Sequence, residues 1–361
     1  VSEAVLAAQA QVRWTEDLRC KRDQGEYSVH IFIDESGGFQ VPTRPNQVSC
    51  VSAVVVPETL LAPLYRAFDR TADPWRKGRA EIKGSQLNEA QMAKVIHTVK
   101  RFEVLLFTVA IDMGIHTDDA IDRHKNVQAD KITAKMDPHI PTSWRDMFLG
   151  WSKGIRCLSN QLYVQSVLLT NLVHATLSGA TLYYVQRMPK TLGSLAWRLD
   201  AKDIAVTTYE QLWQETVEPY LQWLSLAEPL SELEGADYSA FAKYQETLPR
   251  PPEHLRKHLR TDSETPFEAL DTGKILSDLQ FSPSHAVLGL QIVDMLGSCV
   301  RRACNGTLQH AGYRDLGRLM PRPQRGSHCV RFLSLNDTEQ ATVPYAGIIK
   351  SWDLNTRRMI I

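Results

Sequence analysis

The chain predicts an α/β protein: one mixed sheet flanked by helices and enlarged by helical insertions. Short apolar runs of strand length alternate with stretches of helical periodicity. Two of those runs end in an acid, and a long late helix carries a single acid on an otherwise apolar body. With 361 residues, 43% apolar and 23% charged, the composition is that of an ordinary globular protein with a substantial core.

The elements follow in order. Residues 1–27 read as a polar, partly helical leader. The run SVHIFID (Ser28 to Asp34) is closed by Gly37-Gly38 and suits a central strand before a turn. A second strand, about Val48 to Val56, follows at hairpin distance. Pro57-Glu58 opens a helix to about Arg70, and a charged loop containing Glu81-Ile82-Lys83-Gly84-Ser85 leads into another helix reaching about Arg101. Glu103 to Asp112 is the next strand. Ile115 to Pro189 is mainly helical, an insertion of about 115–189 if the flanking strands share one sheet. Its stretch from Cys157 to Gln186 holds no Asp, Glu, Lys or Arg, yet Asn160, Gln165, Asn171 and His174 interrupt it too often for lipid, so it reads as a buried helix.

Trp197 to Asp200 reads as a strand tip, followed by an amphipathic helix from Tyr209 to Trp223. A loop-rich insertion occupies about 227–266. Ser277 to Phe281 is a short strand, and a helix runs from about His285 to Cys304, stopped by Asn305-Gly306. The main domain is thus expected over 28–310, with 311–361 a C-terminal extension whose apolar runs could return to the sheet.

Composition limits function. Forty-one Lys and Arg balance forty-one Asp and Glu, so no whole-chain basic charge points to nucleic acid. Six cysteines without a C-x-x-C suggest neither a disulfide scaffold nor a zinc ribbon, and reduced thiols in a cytoplasm are expected. The first residues have no basic segment before an apolar core, so no secretory signal and no membrane partner are expected. A Walker A loop and G-x-G-x-x-G are absent, and Ser36 and Ser284 lack a nucleophile-elbow context.

The chemistry concentrates in four acids. Asp34 stands at a strand end before a glycine turn, either as a ligand-holding carboxylate or as a cap of its own turn. Asp200 ends its strand in the same way and is followed by Lys202. Asp294 shares one helix face with Gln291 and Ser298 at spacings of three and seven. Glu81 lies two residues before Lys83. Carboxylates gathered from separate elements need a cation, and hard oxygen donors select Mg²⁺ or Mn²⁺. Such a cluster suits two metals ~4 Å apart in phosphodiester hydrolysis.

The ordered segments FIDESGG, EIKGS, WRLDAKD with Tyr209-Glu210, and GLQIVDMLG resemble the motifs of the domain-of-unknown-function 3800 family, over about residues 28–306. The resemblance implies a ribonuclease H-like (RuvC/integrase-like) fold and a metal-dependent nuclease. It implies Asp34, Asp200 and Asp294 as metal ligands and matches Glu81 and Lys83 to a characteristic motif; Glu81 is read beside the three as a fourth catalytic acid. Glu35, Lys83, Lys202 and Gln291 would then form the outer shell, Lys83 or Lys202 steadying the scissile phosphate. Family members usually read FIDESGD, and this chain has Gly38 in place of the last acid.

Charge is unevenly distributed. The segment after Asp200 is acidic, and Arg301, Arg302, Arg314, Arg318, Arg322, Arg325 and Arg331 follow Asp294. They suit a phosphate-backbone track, or an intramolecular pairing with the acidic segment. Nucleic acid, DNA or RNA, is the expected partner. The alternatives are a non-catalytic nucleic-acid-binding module, or a protein-interaction component of a bacterial defence or mobile-element system working through the helical insertion. The cluster His116, Asp118, Asp119, Asp122 and His124 suits a solvated helix start better than a metal site. His254 to Arg260 reads as a wet basic helix face, and His285 as a helix cap or a base.

Overall fold

The computed structural model describes residues 27–42, 47–134, 136, 141–201, 213–248, 267–322, 326–336 and 343–361. The strands are β1 (Ser28–Ser36), β2 (Val48–Pro57), β3 (Leu105–Asp112), β4 (Ser194–Asp200), β5 (Gln245–Leu248), β6 (Phe267–Leu270), β7 (Gln280–Ser282) and β8 (Val330–Leu333). Helices of eight residues or more are α1 (Glu58–Arg76), α2 (Glu89–Val99), α3 (Asp118–Thr133), α4 (Thr142–Cys157), α5 (Asn160–Val185), α6 (Glu218–Ala227), α7 (Leu288–Cys304) and α8 (Ala346–Asp353).

Among the described residues the main sheet has six strands in the order β7-β4-β1-β2-β3-β8, and β5 pairs with β6 apart from it. β2 is antiparallel to both of its neighbours, whereas β4 runs parallel to β1, β7 to β4 and β8 to β3. The chain is therefore α/β with a mixed sheet, as its alternating pattern predicts.

Both faces of the sheet are covered. Ile31 and Ile33 of β1 pack with Leu168, Leu172 and Tyr184 of α5, while Phe32 between them packs with Leu290 and Leu296 of α7. Every residue of β2 is buried, which is why its sequence is a continuous apolar run rather than an alternation. Helices α1, α2 and α7 share the second face.

Three regions refine the expected insertions and extension. Helix α5, expected as a buried helix, supplies one whole side of the core from Tyr163 to Val185. Two of its buried polar residues reach main-chain carbonyls: Asn171 Nδ2 donates to Val167 O at 2.8 Å, and His174 Nε2 bonds Glu228 O at 2.8 Å. No helix among the described residues is long and apolar enough to cross a membrane. Helices α3 and α4 pack chiefly on each other and reach the core through Ile121 and Ile155. In the expected C-terminal extension an apolar run does return to the sheet, since β8 lies beside β3, and Trp352, fully buried, donates through Nε1 to Tyr313 O. Of the predicted 209–223 helix, 209–212 lie outside the described residues; Trp213–Val217 is a π-helical turn leading into α6. Residues 1–26 of the expected leader and 249–266 of the loop-rich insertion also lie outside them.

Close contact between α7 and β1 requires Gly289, where a Cβ would sit 2.5 Å from atoms of the buried Phe32 ring. Helix propensity alone favours alanine there by ~1 kcal/mol, whereas overpacking costs ~1–3 kcal/mol. Gly289→Ala is therefore expected to destabilise the protein by up to about 2 kcal/mol in urea unfolding, opposite in sign to the propensity.

Candidate active site

The parallel strands β1, β4 and β7 end on the same edge of the sheet. From β1 the chain turns to β2 and β3 on one side, while β4 and β7 lie on the other. Outside the carboxyl ends of strands at such a reversal is where open α/β sheets hold ligands. Ile33 pairs with Leu199, so Asp34 and Asp200 are the next residues along adjacent parallel strands, spaced ~4.8 Å. Phe32 faces α7, and the two-residue period of a strand puts Asp34 on the same face.

Asp34 also caps its own turn, its Oδ1 accepting from Glu35 N at 2.7 Å. Glu35 points to the opposite face, where Oε2 accepts from Gln165 Nε2 of α5 at 2.8 Å. The expected outer-shell role of Glu35 beside Asp34 is thus replaced by a tie across to α5, because neighbouring residues of a strand face opposite ways. A side chain at Gly38 would meet nothing within 4 Å, so an acid there would extend into open space.

The loop before α2 brings in the second half of the site. Ile82 is buried in the core, and Glu81 and Lys83 on either side of it turn together, Lys83 Nζ lying 2.8 Å from Glu81 Oε1. Ser284, just after β7, joins the two halves. Its Oγ donates to Glu81 Oε2 at 2.7 Å and accepts from Lys83 Nζ at 3.2 Å, and its N–H donates to Asp200 Oδ1 at 3.0 Å.

Asp294 Oδ2 accepts from Gly84 N at 2.7 Å. Only glycine fits at 84, since a Cβ would lie 2.6 Å from Met295 Cα and 2.9 Å from Asp294 O. Along the same face of α7, Gln291 Nε2 donates to Ser284 O at 3.2 Å, and Ser298 Oγ lies 3.5 Å from Ser36 Oγ. The shared face expected for Gln291, Asp294 and Ser298 is the one turned to the loop and strand ends.

Burial pushes the Asp294 carboxyl above its ordinary 3.8; the Gly84 N–H and the Lys83 charge oppose the rise, and the charges of Glu81 and Asp200 add to it. Burial alone would lower Lys83, but its bond to Glu81 and the charges of Glu81, Asp294 and Asp200 hold it above 10.5. Burial would raise Glu81, yet the bonds from Lys83 and Ser284 and the charges of Lys83 and His285 bring it below 4.5. The cluster thus contains a firm Glu81–Lys83 ion pair and an Asp294 that accepts a proton more readily than usual.

An open cleft of about 340 Å³ adjoins this cluster, lined by Arg79, Ala80, Glu81, Lys83, Gln86 and His285. Among the described residues, no group of three or more His, Cys, Asp or Glu side chains is placed to hold a metal ion. Asp34, Asp200 and Asp294 offer the hard oxygens that Mg²⁺ or Mn²⁺ prefers. As arranged, however, each accepts a backbone N–H, and the Lys83 ammonium supplies positive charge among Glu81, Asp200 and Asp294. The three acids expected as metal ligands do not fit a shared metal site in this arrangement. Lys202 lies outside the described residues.

The arginines do not form the expected continuous track. Arg301 Nε donates to Ser36 Oγ at 2.8 Å, and Arg302 Nη1 donates to Gly84 O at 3.1 Å and Leu87 O at 2.6 Å. Both turn inward as braces. Arg314 and Arg318 are exposed but gather on Asp315 at 3.8 and 3.7 Å, with Lys100 at 2.5 Å. Arg322 is exposed and gives its backbone N–H to Arg357 O at 2.7 Å. Arg331 lies 3.9 Å from Glu228, an ion pair between the basic and acidic segments. Arg325 and His254 to Arg260 lie outside the described residues. His116 bonds Asp112 O and Leu335 N, and His124 bonds Tyr163, consistent with structural roles.

Sequence reasoning missed Ser284 as the joint of the site and Gly84 as the donor to Asp294. A glycine between a charged loop and a helix start was the available signal for the second; Ser284 gave none beyond its position after a strand. No family model, no curated protein and no solved structure matches the chain.

Because Asp294 has a raised folded value, the stability it contributes is fully present below about 3.8, its ordinary value, and is lost as pH rises through the folded one. Asp294→Asn keeps an oxygen for Gly84 N–H and removes the titration. Urea unfolding in EDTA should show wild type losing stability relative to Asp294→Asn as pH rises from about 3.8 toward neutrality. A difference independent of pH would contradict this assignment.

Proposed function

We propose that the chain is a ribonuclease H-like hydrolase of nucleic-acid phosphodiester bonds. One observation carries the reading: acids from three separate segments stand at the end of β1, at the end of β4 and on the helix that follows β7, around the point where strand order reverses. The strand order supports it, since β1, β4 and β7 run parallel and bring the acid-bearing ends to one edge of the sheet.

In this reading Asp34 and Asp200 orient the attacking water at the rim. Asp294, whose carboxyl holds its proton more readily than an exposed acid, serves proton transfer at the leaving oxygen. Lys83 sets positive charge against the phosphate, and Glu81 and Ser284 hold Lys83 in place. The requirement for Mg²⁺ or Mn²⁺ is a separate element of the proposal, decided by the assay.

A second reading is a nucleic-acid-binding module without catalysis. It is favoured by the placement of Lys83 among the acids and by the lack of a three-carboxylate group among the described residues.

The test is cleavage of single-stranded, duplex and hybrid substrates with Mg²⁺, Mn²⁺ or EDTA. Wild type is expected to cut, and Asp34→Asn and Asp294→Asn to fall by about 100-fold or more, the scale of lost acid–base assistance. Equal activity in all three proteins removes these acids from the mechanism. Chelator-insensitive binding with no cleavage by wild type selects the second reading.

A further inference from the structure

We infer that the cleft between Arg79, Lys83, Gln86 and His285 is a subsite for a nucleotide phosphate group, a local pocket rather than one stretch of a long backbone track. The inference rests on the hydrolase reading and states where its substrate is held.

The backbone places Arg79 at the cleft. Helix α1 ends with Lys77 at φ 50° and Gly78 at φ 82°, and Arg79 N donates back to Arg76 O at 3.0 Å. This tight reversal carries the chain out of the helix and over the cleft. Arg79 is exposed, and among the described residues its guanidinium has neither a hydrogen bond nor an ion pair. That planar fork of donors matches a phosphate in a bidentate manner.

Lys83 adds a second cation. Its ammonium has three protons, two of them directed to Glu81 Oε1 and Ser284 Oγ, and its side chain is 44% exposed. The third proton is available to a ligand in the cleft. The His285 ring and the Gln86 amide make no hydrogen bond to a described residue and add further polar groups to the wall. Glu81 is the opposing charge, but Lys83 engages its Oε1 and Ser284 its Oε2. The lining therefore has one cation in excess, Arg79 and Lys83 against Glu81.

Size and surroundings limit the ligand. At about 340 Å³ the cleft is near the lower end of small-ligand pockets, ~300–1,000 Å³, which suits one nucleotide rather than several. The arginines do not continue it. Arg301 and Arg302 brace the fold, and Arg314 and Arg318 gather on Asp315 near Lys100, the far end of α2. With 11 residues at ~1.5 Å each, α2 sets that cluster about 16 Å from the helix start nearer the cleft.

The same phosphate chemistry is offered by a strand's terminal monoester, an internal diester or a free mononucleotide. Fluorescence anisotropy of the full chain in EDTA would compare 3′-labelled single strands bearing a 5′-phosphate or a 5′-hydroxyl, with a 5′-mononucleotide as competitor. Arg79→Ala is expected to weaken binding about tenfold, as for a lost bond to a charged group, while Arg314→Ala leaves it unchanged. A preference for the 5′-phosphate strand, with competition by the mononucleotide, supports the subsite with a terminal phosphate in it. Equal binding of the two strands, still dependent on Arg79, supports it with an internal diester. Unchanged affinity in Arg79→Ala, or equal losses in Arg79→Ala and Arg314→Ala, overturns it. Failure of the hydrolase reading is seen separately: Arg79-dependent binding by a wild type that never cleaves leaves the subsite standing, and cleavage lost in Asp294→Asn but untouched by Arg79→Ala leaves only the hydrolase.

Discussion

The hydrogen bond from Gly84 N to Asp294 Oδ2 is the interaction on which the rest of the site depends. A carboxylate on an apolar helix costs several kcal/mol to bury unless donors or cations replace its water. Gly84 provides the donor only because its missing side chain lets the loop backbone reach the backbone of α7. Once that contact is made, Lys83 and Glu81 are fixed beside α7, Ser284 can bridge them, and Asp200 receives the Ser284 N–H. One close approach of backbones thus connects a loop, a helix and two strand ends.

The braces around this contact serve the same end. Arg302 bonds Gly84 O and Leu87 O from about two turns further along α7, so the loop is held at both its N–H and its carbonyl. Arg301 ties the end of β1 to the same helix through Ser36. Zero net charge fits this economy, because positive charge is spent locally on holding the site rather than on a field over the surface. In the proposed subsite, recognition of a phosphate would fall to the cations that have no structural task, and Arg79 is one of them.

Much of the fold was legible in the sequence because both faces of the sheet are buried. VSCVSAVVVP and LLFTVAID read as continuous apolar strands, and the acids Asp34 and Asp200 stand out at the points where such runs meet solvent. Asp294 was legible for the opposite reason, as a charge with apolar neighbours. What the chain does not announce is long-range partnership. Helix α5 looks like part of an insertion until its contacts with β2 and β3 make it one side of the core. Arg301 and Arg302 read as surface charge until Ser36 and Gly84, more than two hundred residues away, engage them. The facing of Glu35 was readable from strand alternation, but its association with Asp34 in the motif obscured it.

The two halves of the site differ in how freely they can respond to a ligand. Asp34 and Asp200 are part of a ladder buried on both faces, and Asp294 lies on a helix packed through Gly289 and Gly297 against β1 and β2, so none of their backbones can shift without disturbing the core. Gly84 is equally confined by α7. The groups left with freedom are side chains at the cleft: the Arg79 guanidinium, the Lys83 ammonium and the His285 ring. An anion entering the cleft would compete with Glu81 for Lys83, and any movement of Lys83 toward it withdraws positive charge from Asp294. Since the Lys83 charge opposes the rise in the Asp294 carboxyl, that withdrawal makes Asp294 hold its proton more firmly. Binding of a phosphate in the proposed subsite and protonation of the acid beside it would therefore be coupled in the same direction through a single lysine.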